Sequence, residues 1–243
     1  MPAPLPAEPM VLPARGWRID PKRALLAALL CWAGFAAIVV MVETGRAGAL
    51  DSAGLLFWRQ GADLRPSGSP WLTEAVRDYT ALGGVLLRNL IAIFALVALL
   101  FLRLRREAAL LALTIVSGWA VNSALKALVG RPRPEIVPHL TEAGGLSFPS
   151  GHSFNSAVVY ISIALAFAAL SPRQSVRATI VLAAMALTLL VALSRVWLGV
   201  HYPSDAIAGW LGGAGWAFTA AALLYRPAKA VADKSDPAAV TLH

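Results

Sequence analysis

The chain has 243 residues, of which 58% are hydrophobic and 14% are charged, and its mean hydropathy is +0.67. A soluble domain carries about a quarter charged residues, so this composition indicates an integral membrane protein. The formal charge of +8 does not indicate nucleic-acid binding, because the Lys and Arg residues occur in short groups between apolar runs and not in one patch. The single cysteine, Cys31, excludes an internal disulfide framework.

Six apolar runs are long enough to cross a membrane, and they predict an all-α bundle of six transmembrane helices. The runs lie at about residues 24–42, 83–102, 108–129, 149–170, 178–193 and 204–225. About 20 helical residues span about 30 Å of hydrocarbon. The first run is too long for a signal-peptide core, so we expect a retained helix. Gly209 and Gly213 are spaced for close helix contact in the sixth span.

The segment 43–82 mixes apolar and charged residues, which predicts short interfacial helices in the first outer loop. A break at residues 66–70, rich in Pro and Gly, separates a helix near residues 50–60 from a second one over 71–79. Arg88 lies about 7–8 Å into the second span. We expect its side chain to snorkel to the surface, with a role near a functional site as the alternative.

Basic residues orient the spans. Most Lys and Arg lie in the tails at 1–23 and 226–243 and in the turns after spans two and four, so both termini of the membrane domain at 24–225 are expected in the cytoplasm. Four cations at the outward ends of spans three and five break this rule: Lys126, Arg131, Arg133 and Arg195. An anionic ligand on the outer side would explain their position.

The stretch from Ser194 to Asp205 joins two apolar runs and contains an Arg, a His and an Asp. Pro203 suits the first position of a new helix, which places His201 just outside that helix and Asp205 in its first turn. A carboxylate on one ring nitrogen leaves the lone pair of the other free, as a histidine nucleophile requires. The alternative is a helix-capping histidine beside an acid that favours the helix dipole.

Two further clusters fall at the same face. Lys126 lies about one helical turn from the end of span three, and Arg133 follows between prolines. Ser150 and Gly151 open span four, where unpaired backbone N–H groups and the helix dipole attract anions. Together with Arg195, these groups suit the oxygens of a phosphoryl group during in-line displacement.

His152 adds a second imidazole to this face, able to protonate a leaving oxygen. Taken singly, Lys126 fits a snorkelling residue, Ser150 a helix cap and His152 an interface histidine. These separate interpretations leave the misplaced cations and the two histidines unexplained, so the joint interpretation as a phosphate site is favoured.

Three motifs in these clusters resemble the signature motifs of the type 2 phosphatidic acid phosphatase superfamily. They are Lys126-x6-Arg133-Pro134, Pro149-Ser150-Gly151-His152 and Ser194-Arg195-x5-His201-x3-Asp205. Eleven residues match in order and spacing, and the six-span layout extends the resemblance over most of the chain between the tails.

The resemblance implies a phosphatase that needs neither metal nor cofactor. His201 would attack phosphorus to form a phosphohistidine, Asp205 would hold the imidazole in position, and His152 would protonate the leaving group and then help to activate water. The phosphate-binding residues implied are Lys126, Arg133, Ser150, Gly151 and Arg195. Arg131 lies outside the signature, and we expect it to meet lipid phosphates at the surface, with help in phosphate binding as the alternative.

The resemblance also implies a phosphorylated lipid substrate and a bacterial inner-membrane location, with the site on the periplasmic or outer side. The candidate lipids are phosphatidylglycerol phosphate, undecaprenyl pyrophosphate, phosphatidate and the phosphate of lipid A, and the lack of a fused domain slightly favours the first two. Alternatives are a phosphatase of soluble phosphoesters, a haloperoxidase-like vanadate site, or a transporter of phosphorylated solutes. A transporter predicts charges through the depth of the bundle, whereas spans four to six carry charges mainly at their ends.

Overall fold

The computed structural model describes residues 20–171 and 173–223, so nearly all of the two predicted tails lies outside the described residues. Within these ranges the chain forms eight α-helices and one antiparallel hairpin, which confirms the predicted helical class. In chain order the elements are α1 (Pro21–Glu43), α2 (Gly48–Leu56), β1 (Arg59–Gln60), β2 (Arg65–Pro66), α3 (Pro70–Ala81), α4 (Val85–Phe101), α5 (Arg105–Val129), α6 (Gly151–Ala168), α7 (Gln174–Trp197) and α8 (Pro203–Leu223).

Five described helices are long and apolar enough to cross a membrane: α1, α5, α6, α7 and α8. The second predicted span corresponds to α4, which has 17 residues and is therefore about 26 Å long, slightly short of the hydrocarbon core. It meets α3 at a bend of 45°, and the two helices together qualify as one broken span. The fifth span differs most from its predicted bounds, because α7 continues through the polar residues Ser194 and Arg195, which are buried.

Most of α6 and α8 is buried, and these two helices form the centre of the bundle. The glycines of α8 permit this contact: a Cβ atom on Gly213 would lie 2.2 Å from the carbonyl oxygen of Phe154, and one on Gly209 would lie 2.7 Å from that of Ser150. Close backbone approach through small residues is a common basis of helix packing in membranes. It brings the two N-terminal ends together, where the Ser150 N–H donates to the Asp205 carbonyl oxygen at 3.0 Å.

Replacing Gly213 with alanine is expected to destabilise the protein by about 1–3 kcal/mol, because the new methyl group overlaps a backbone atom that cannot move independently. The melting temperature in detergent measures this effect. Gly48→Ala is the matched control, since a Cβ on Gly48 meets nothing within 4 Å and alanine favours its helix. Equal melting temperatures for the two variants would contradict the importance of the α6–α8 contact.

The first outer loop contains the two predicted helices, as α2 and α3, and a hairpin that the sequence did not predict. In the hairpin Arg59 pairs with Pro66 and Gln60 with Arg65. The buried side chain of Arg59 donates to the carbonyl oxygen of Trp197 at 3.0 Å, at the end of α7. The outer loop is thereby fixed to the chain segment that leads into His201.

The prediction that Arg88 snorkels to the surface was wrong. Its side chain is 7% exposed, and its Nη1 atom donates to the carbonyl oxygen of Gly83 at 3.0 Å. The bend between α3 and α4 frees this carbonyl from helical hydrogen bonding and gives the guanidinium an acceptor inside the bundle. Arg88 therefore lies inside the protein, at the end of the bundle where α6 and α8 begin.

Candidate active site

The residues singled out in the sequence meet at one end of the bundle, where α5 and α7 end and α6 and α8 begin. Lys126 lies in the last turn of α5 and Arg195 in the last turn of α7. Ser150 is the N-cap residue of α6, and Asp205 lies in the first turn of α8. His201 occupies the short connection between α7 and α8. Residues distant in the sequence are thus neighbours at four helix ends.

The imidazole of His201 is buried and held from one side by Ser147 and Asp205. Its Nδ1 atom lies 3.2 Å from Ser147 Oγ and 3.6 Å from Asp205 Oδ2. Ser147 donates its hydroxyl hydrogen to Asp205 Oδ2, so its oxygen is left to accept a hydrogen from Nδ1. The Tyr202 N–H donates to the same carboxylate oxygen at 3.0 Å. Asp205 therefore acts on His201 largely through Ser147.

Arg133 approaches the other side of the imidazole. Its Nη1 atom lies 3.1 Å from His201 Nε2 and also donates to the Val200 carbonyl oxygen at 2.8 Å. A guanidinium group can only donate, so Nε2 must carry a lone pair and Nδ1 the hydrogen. The contacts on both sides of the ring thus select the same tautomer, with the lone pair directed toward a cation.

Burial lowers the pKa of His201 to about 4; the nearby carboxylate of Asp205 works against this shift, whereas the charge of Arg133 adds to it. The imidazole is therefore neutral at physiological pH. A neutral ring with a free Nε2 lone pair is the form in which histidine acts as a nucleophile.

We expect the His201 signal to titrate near pH 4 in NMR spectra of the protein labelled with nitrogen-15 histidine, with His201→Asn used to assign it. A free histidine titrates near 6.5. Between these values the unfolded chain binds a proton that the folded chain does not, so this group lowers stability as the pH falls from about 6.5 to about 4. A midpoint near 6.5 would contradict the buried, cation-facing environment described here.

Lys126 and Arg133 are oriented by carbonyl oxygens of the loop between α5 and α6. Lys126 Nζ donates to the Leu146 carbonyl oxygen at 2.6 Å, and Arg133 donates to those of Gly144 and Gly145 at 2.7 and 3.1 Å. The Lys126 side chain also lies beside the N-terminus of α6, with its Cε atom 3.7 Å from the position of a Cβ on Gly151. Both cations are therefore beside the helix end at which an anion would bind.

Arg195 and His152 complete the cluster. Arg195 is 3% exposed and donates from Nη1 to Thr80 Oγ1 at 3.1 Å, while its buried Nε has no hydrogen-bond partner among the described residues. His152 lies in the first turn of α6, within electrostatic reach of His201 and Arg195. A Cβ on Gly83 would lie 3.2 Å from its ring, so the α3–α4 bend packs directly on His152.

The prediction that Arg131 meets lipid phosphates at the surface was wrong. Its guanidinium bridges Asp51 Oδ2 and Asp205 Oδ1, both at 2.7 Å, and lies 4.1 Å from the centre of the Tyr202 ring. Asp51, on α2, is 1% exposed and also accepts from the Ser204 N–H at 2.9 Å. Burial works against the charge of Arg131, but Asp205 and Asp51 raise its pKa above the usual value. The outer loop therefore contributes directly to the position of Asp205.

Three residues of this arrangement were missed in the sequence: Ser147, Thr80 and Asp51. Ser147 stands three positions before Ser150 in a loop without periodicity, and a small polar residue close to the second motif was its only signal. Thr80 accepts hydrogen bonds from both Ser194 and Arg195. It lies on α3, and no local pattern connects it to α7.

Comparison with known proteins agrees with this architecture. Residues 107–229, half of the chain, match the PAP2 superfamily. Phosphatidylglycerophosphatase B of Bacillus subtilis strain 168 is 36% identical over 143 residues, which is 58% of this chain and 69% of that protein. Lipid A 1-phosphatase of Rhizobium etli is 35% identical over 121 residues, which is 46% of this chain but only 47% of that protein.

The fold also resembles a crystal structure, that of the first transmembrane PAP2-type phosphatidylglycerolphosphate phosphatase from Bacillus subtilis. The TM-score is 0.69 at 25% sequence identity, and the match covers 86% of this chain and 98% of that one. The segments that carry His152, His201 and the surrounding cations lie within the range matched by the family. The chain therefore belongs to the PAP2 superfamily and is a multi-pass membrane lipid phosphatase.

Proposed function

We propose that the protein removes phosphate from a phosphorylated membrane lipid through a phosphohistidine on Nε2 of His201, without a metal ion or cofactor. The observation that carries this proposal is the tautomer of His201: Ser147 and Asp205 hold Nδ1, while Nε2 faces Arg133 with a lone pair. A buried neutral imidazole surrounded by fixed cations suits nucleophilic attack on a phosphate anion.

In the first step, Nε2 of His201 forms a bond to phosphorus while the bond to the leaving oxygen breaks. The leaving oxygen takes the bonding electrons, and His152 donates the proton that neutralises it. Lys126, Arg133 and Arg195 stabilise the charge on the three remaining oxygens, which is the main requirement of phosphoryl transfer. The free Nε donor of Arg195 suits this function.

In the second step, His152, now neutral, accepts a proton from water, and the water oxygen attacks phosphorus. The N–P bond breaks, inorganic phosphate leaves, and His201 regains its Nε2 lone pair. Asp205 and Ser147 stabilise the positive charge that the imidazole carries as a phosphohistidine. The ion pairs of Arg131 with Asp51 and Asp205 hold the second carboxylate oxygen, so the first remains directed at Ser147.

For the substrate we propose phosphatidylglycerol phosphate first, with undecaprenyl pyrophosphate, phosphatidate and lipid A phosphate as the other candidates. The first choice is supported by the relatives, two of which carry the name phosphatidylglycerophosphatase or phosphatidylglycerolphosphate phosphatase. We also propose that the site faces the outer side of the bacterial inner membrane with both termini in the cytoplasm. The cation clusters in the turns after spans two and four support this orientation.

Phosphate release by the purified protein in mixed micelles tests the proposal. The four lipids are compared with p-nitrophenyl phosphate as a soluble ester, each with and without EDTA. We expect kcat/KM to be highest for a lipid and to be unchanged by EDTA. Equal or better hydrolysis of the soluble ester would favour a phosphatase of soluble phosphoesters, and a strict requirement for Mg²⁺ would contradict the proposed chemistry.

A further inference from the structure

A cavity of about 300 Å³ lies between α4, α5 and α6, one to two helical turns from the proposed phosphate site. Its apolar wall includes Val85, Val116 and Trp119, which are more than half exposed and therefore face the acyl chains of a surrounding bilayer. Three polar side chains also line it: Arg88, Asn89 and Asn155. A cavity with apolar walls and a few polar groups is typical of a site for a small-molecule group.

The cavity and the phosphate site are neighbours along two helices. On α5, Trp119, Asn122 and Lys126 share one face, and Trp119 lies about 10 Å along the axis from Lys126. On α6, Asn155 follows Gly151 by one turn. A Cβ on Gly151 would lie 3.6 Å from Asn122 Nδ2 and 3.9 Å from Asn155 Nδ2. A lipid with its terminal phosphate at Gly151 would therefore place its next groups in the cavity.

Among the described residues, Arg88 has no acidic partner to balance its charge. It is buried in the first turn of α4, and none of the ion pairs formed by the described residues involves it. Its Nη1 atom donates to the Gly83 carbonyl oxygen, and its charge acts on His152. A cation inside a transmembrane segment is costly to insert and usually marks a functional site. This charge suits an anion that binds from outside the chain.

We propose that Arg88, together with Asn155 and Asn89, binds a second phosphate of the substrate, the one that remains on the lipid after hydrolysis. This inference rests on the proposed function and makes it more specific. It selects lipids that carry two phosphates in series, such as a lipid pyrophosphate or phosphatidylglycerol phosphate, over phosphatidate with one. In a pyrophosphate the charge on the leaving phosphate grows as the P–O bond breaks, so Arg88 also stabilises the leaving group.

Kinetics of Arg88→Gln on three lipids with matched acyl or prenyl chains test the proposal. The lipids are phosphatidylglycerol phosphate, a prenyl pyrophosphate and phosphatidate, all in mixed micelles. We expect the preference in kcat/KM for the two-phosphate lipids over phosphatidate to fall by about 10- to 100-fold, the value of one charged hydrogen bond. Arg88→Lys should retain most of the preference. Arg46→Gln, which removes an exposed cation from the outer loop, should leave it unchanged.

A loss of preference toward only one of the two-phosphate lipids would identify which spacing of phosphates the cavity fits. An equal fall in kcat/KM on all three lipids, or a wild-type enzyme without preference, would overturn the proposal and leave the proposed function standing. Absence of hydrolysis of every lipid would overturn both. If Arg88→Gln fails to fold, Asn155→Ala is measured in its place, and a smaller loss of preference is expected. An equal fall in kcat/KM on all three lipids would again overturn the proposal.

Discussion

Replacing His201 with alanine is expected to lower kcat by at least about 10⁴-fold, because the Nε2 atom that forms the proposed covalent intermediate is removed. The substituted protein should still fold, since the contacts between α6 and α8 do not depend on the imidazole. Phosphate release and the melting temperature of the purified variant measure the two expectations separately.

His139→Ala is the matched control for this variant. His139 is an exposed residue of the loop between α5 and α6, and its Nε2 atom contacts the Pro134 carbonyl oxygen at 2.7 Å. Its kcat should remain within about threefold of the wild type, as is usual for a surface substitution. If His201→Ala keeps more than about one hundredth of the wild-type kcat, His201 is not the nucleophile.

The second large effect is expected for Asp205→Asn, with kcat lower by about 10²- to 10⁴-fold and KM little changed. Each carboxylate oxygen of Asp205 accepts hydrogen bonds, one from Ser147 and Tyr202 and the other from Arg131. An amide must turn its NH2 group toward one of these donors, so either the His201 tautomer or the ion pair with Arg131 is lost. Steady-state kinetics with a lipid substrate measure the effect.

Asp51→Asn separates this catalytic effect from a loss of stability. Both Asp51 and Asp205 are buried partners of Arg131, so both substitutions should lower the melting temperature. Of these two acids only Asp205 also contacts Ser147. The loss of kcat for Asp51→Asn should stay at about tenfold or less, because Asp51 acts on the imidazole only through Arg131, Asp205 and Ser147. Equal losses of kcat in the two variants would mean that Asp205 only stabilises the fold and has no separate role in catalysis.

The membrane architecture was predictable because lipid imposes a simple rule on sequence. Every span must be apolar over about 20 residues, and this pattern can be recognised without knowing which other helices the span contacts. The beginning of α8 could also be predicted, because Pro203 is its first residue and thereby places His201 just before the helix. The short α4 and its bend to α3 were harder to predict. The charged residues before Gly83 are typical of a surface helix, whereas in the structure α3 and α4 together can form one broken span.

The errors concern charges whose partners are distant in the chain. Arg131 was interpreted as a surface cation because its acidic partners, Asp51 and Asp205, stand 80 and 74 residues away in the chain. Arg88 was expected at the surface because sequence reasoning assigns a lone cation in a span to the nearest interface. Its acceptor, the Gly83 carbonyl, is free only because the helix bends there. Local pattern carries no information about such acceptors.

The motif residues were easier to place than the groups that orient them. His201, Arg195 and Lys126 stand out because charges are rare in this composition and lie at span ends. Ser147 and Thr80 are small polar residues of ordinary frequency, so nothing in the sequence distinguishes them from solvent-exposed positions. Their importance follows from distances alone, 3.2 Å from Ser147 to the imidazole and 3.1 Å from Thr80 to Arg195.

The central claim, covalent catalysis by His201, is tested most directly by trapping the intermediate. The enzyme is mixed with a lipid labelled with phosphorus-32 in its terminal phosphate, stopped in alkali, in which phosphohistidine is stable, and digested for peptide mapping. Label on Nε2 of His201 during the first turnover, absent from His201→Ala, is the expected result. Label on another residue, or release of labelled phosphate in the first turnover without any labelled protein, would contradict the claim.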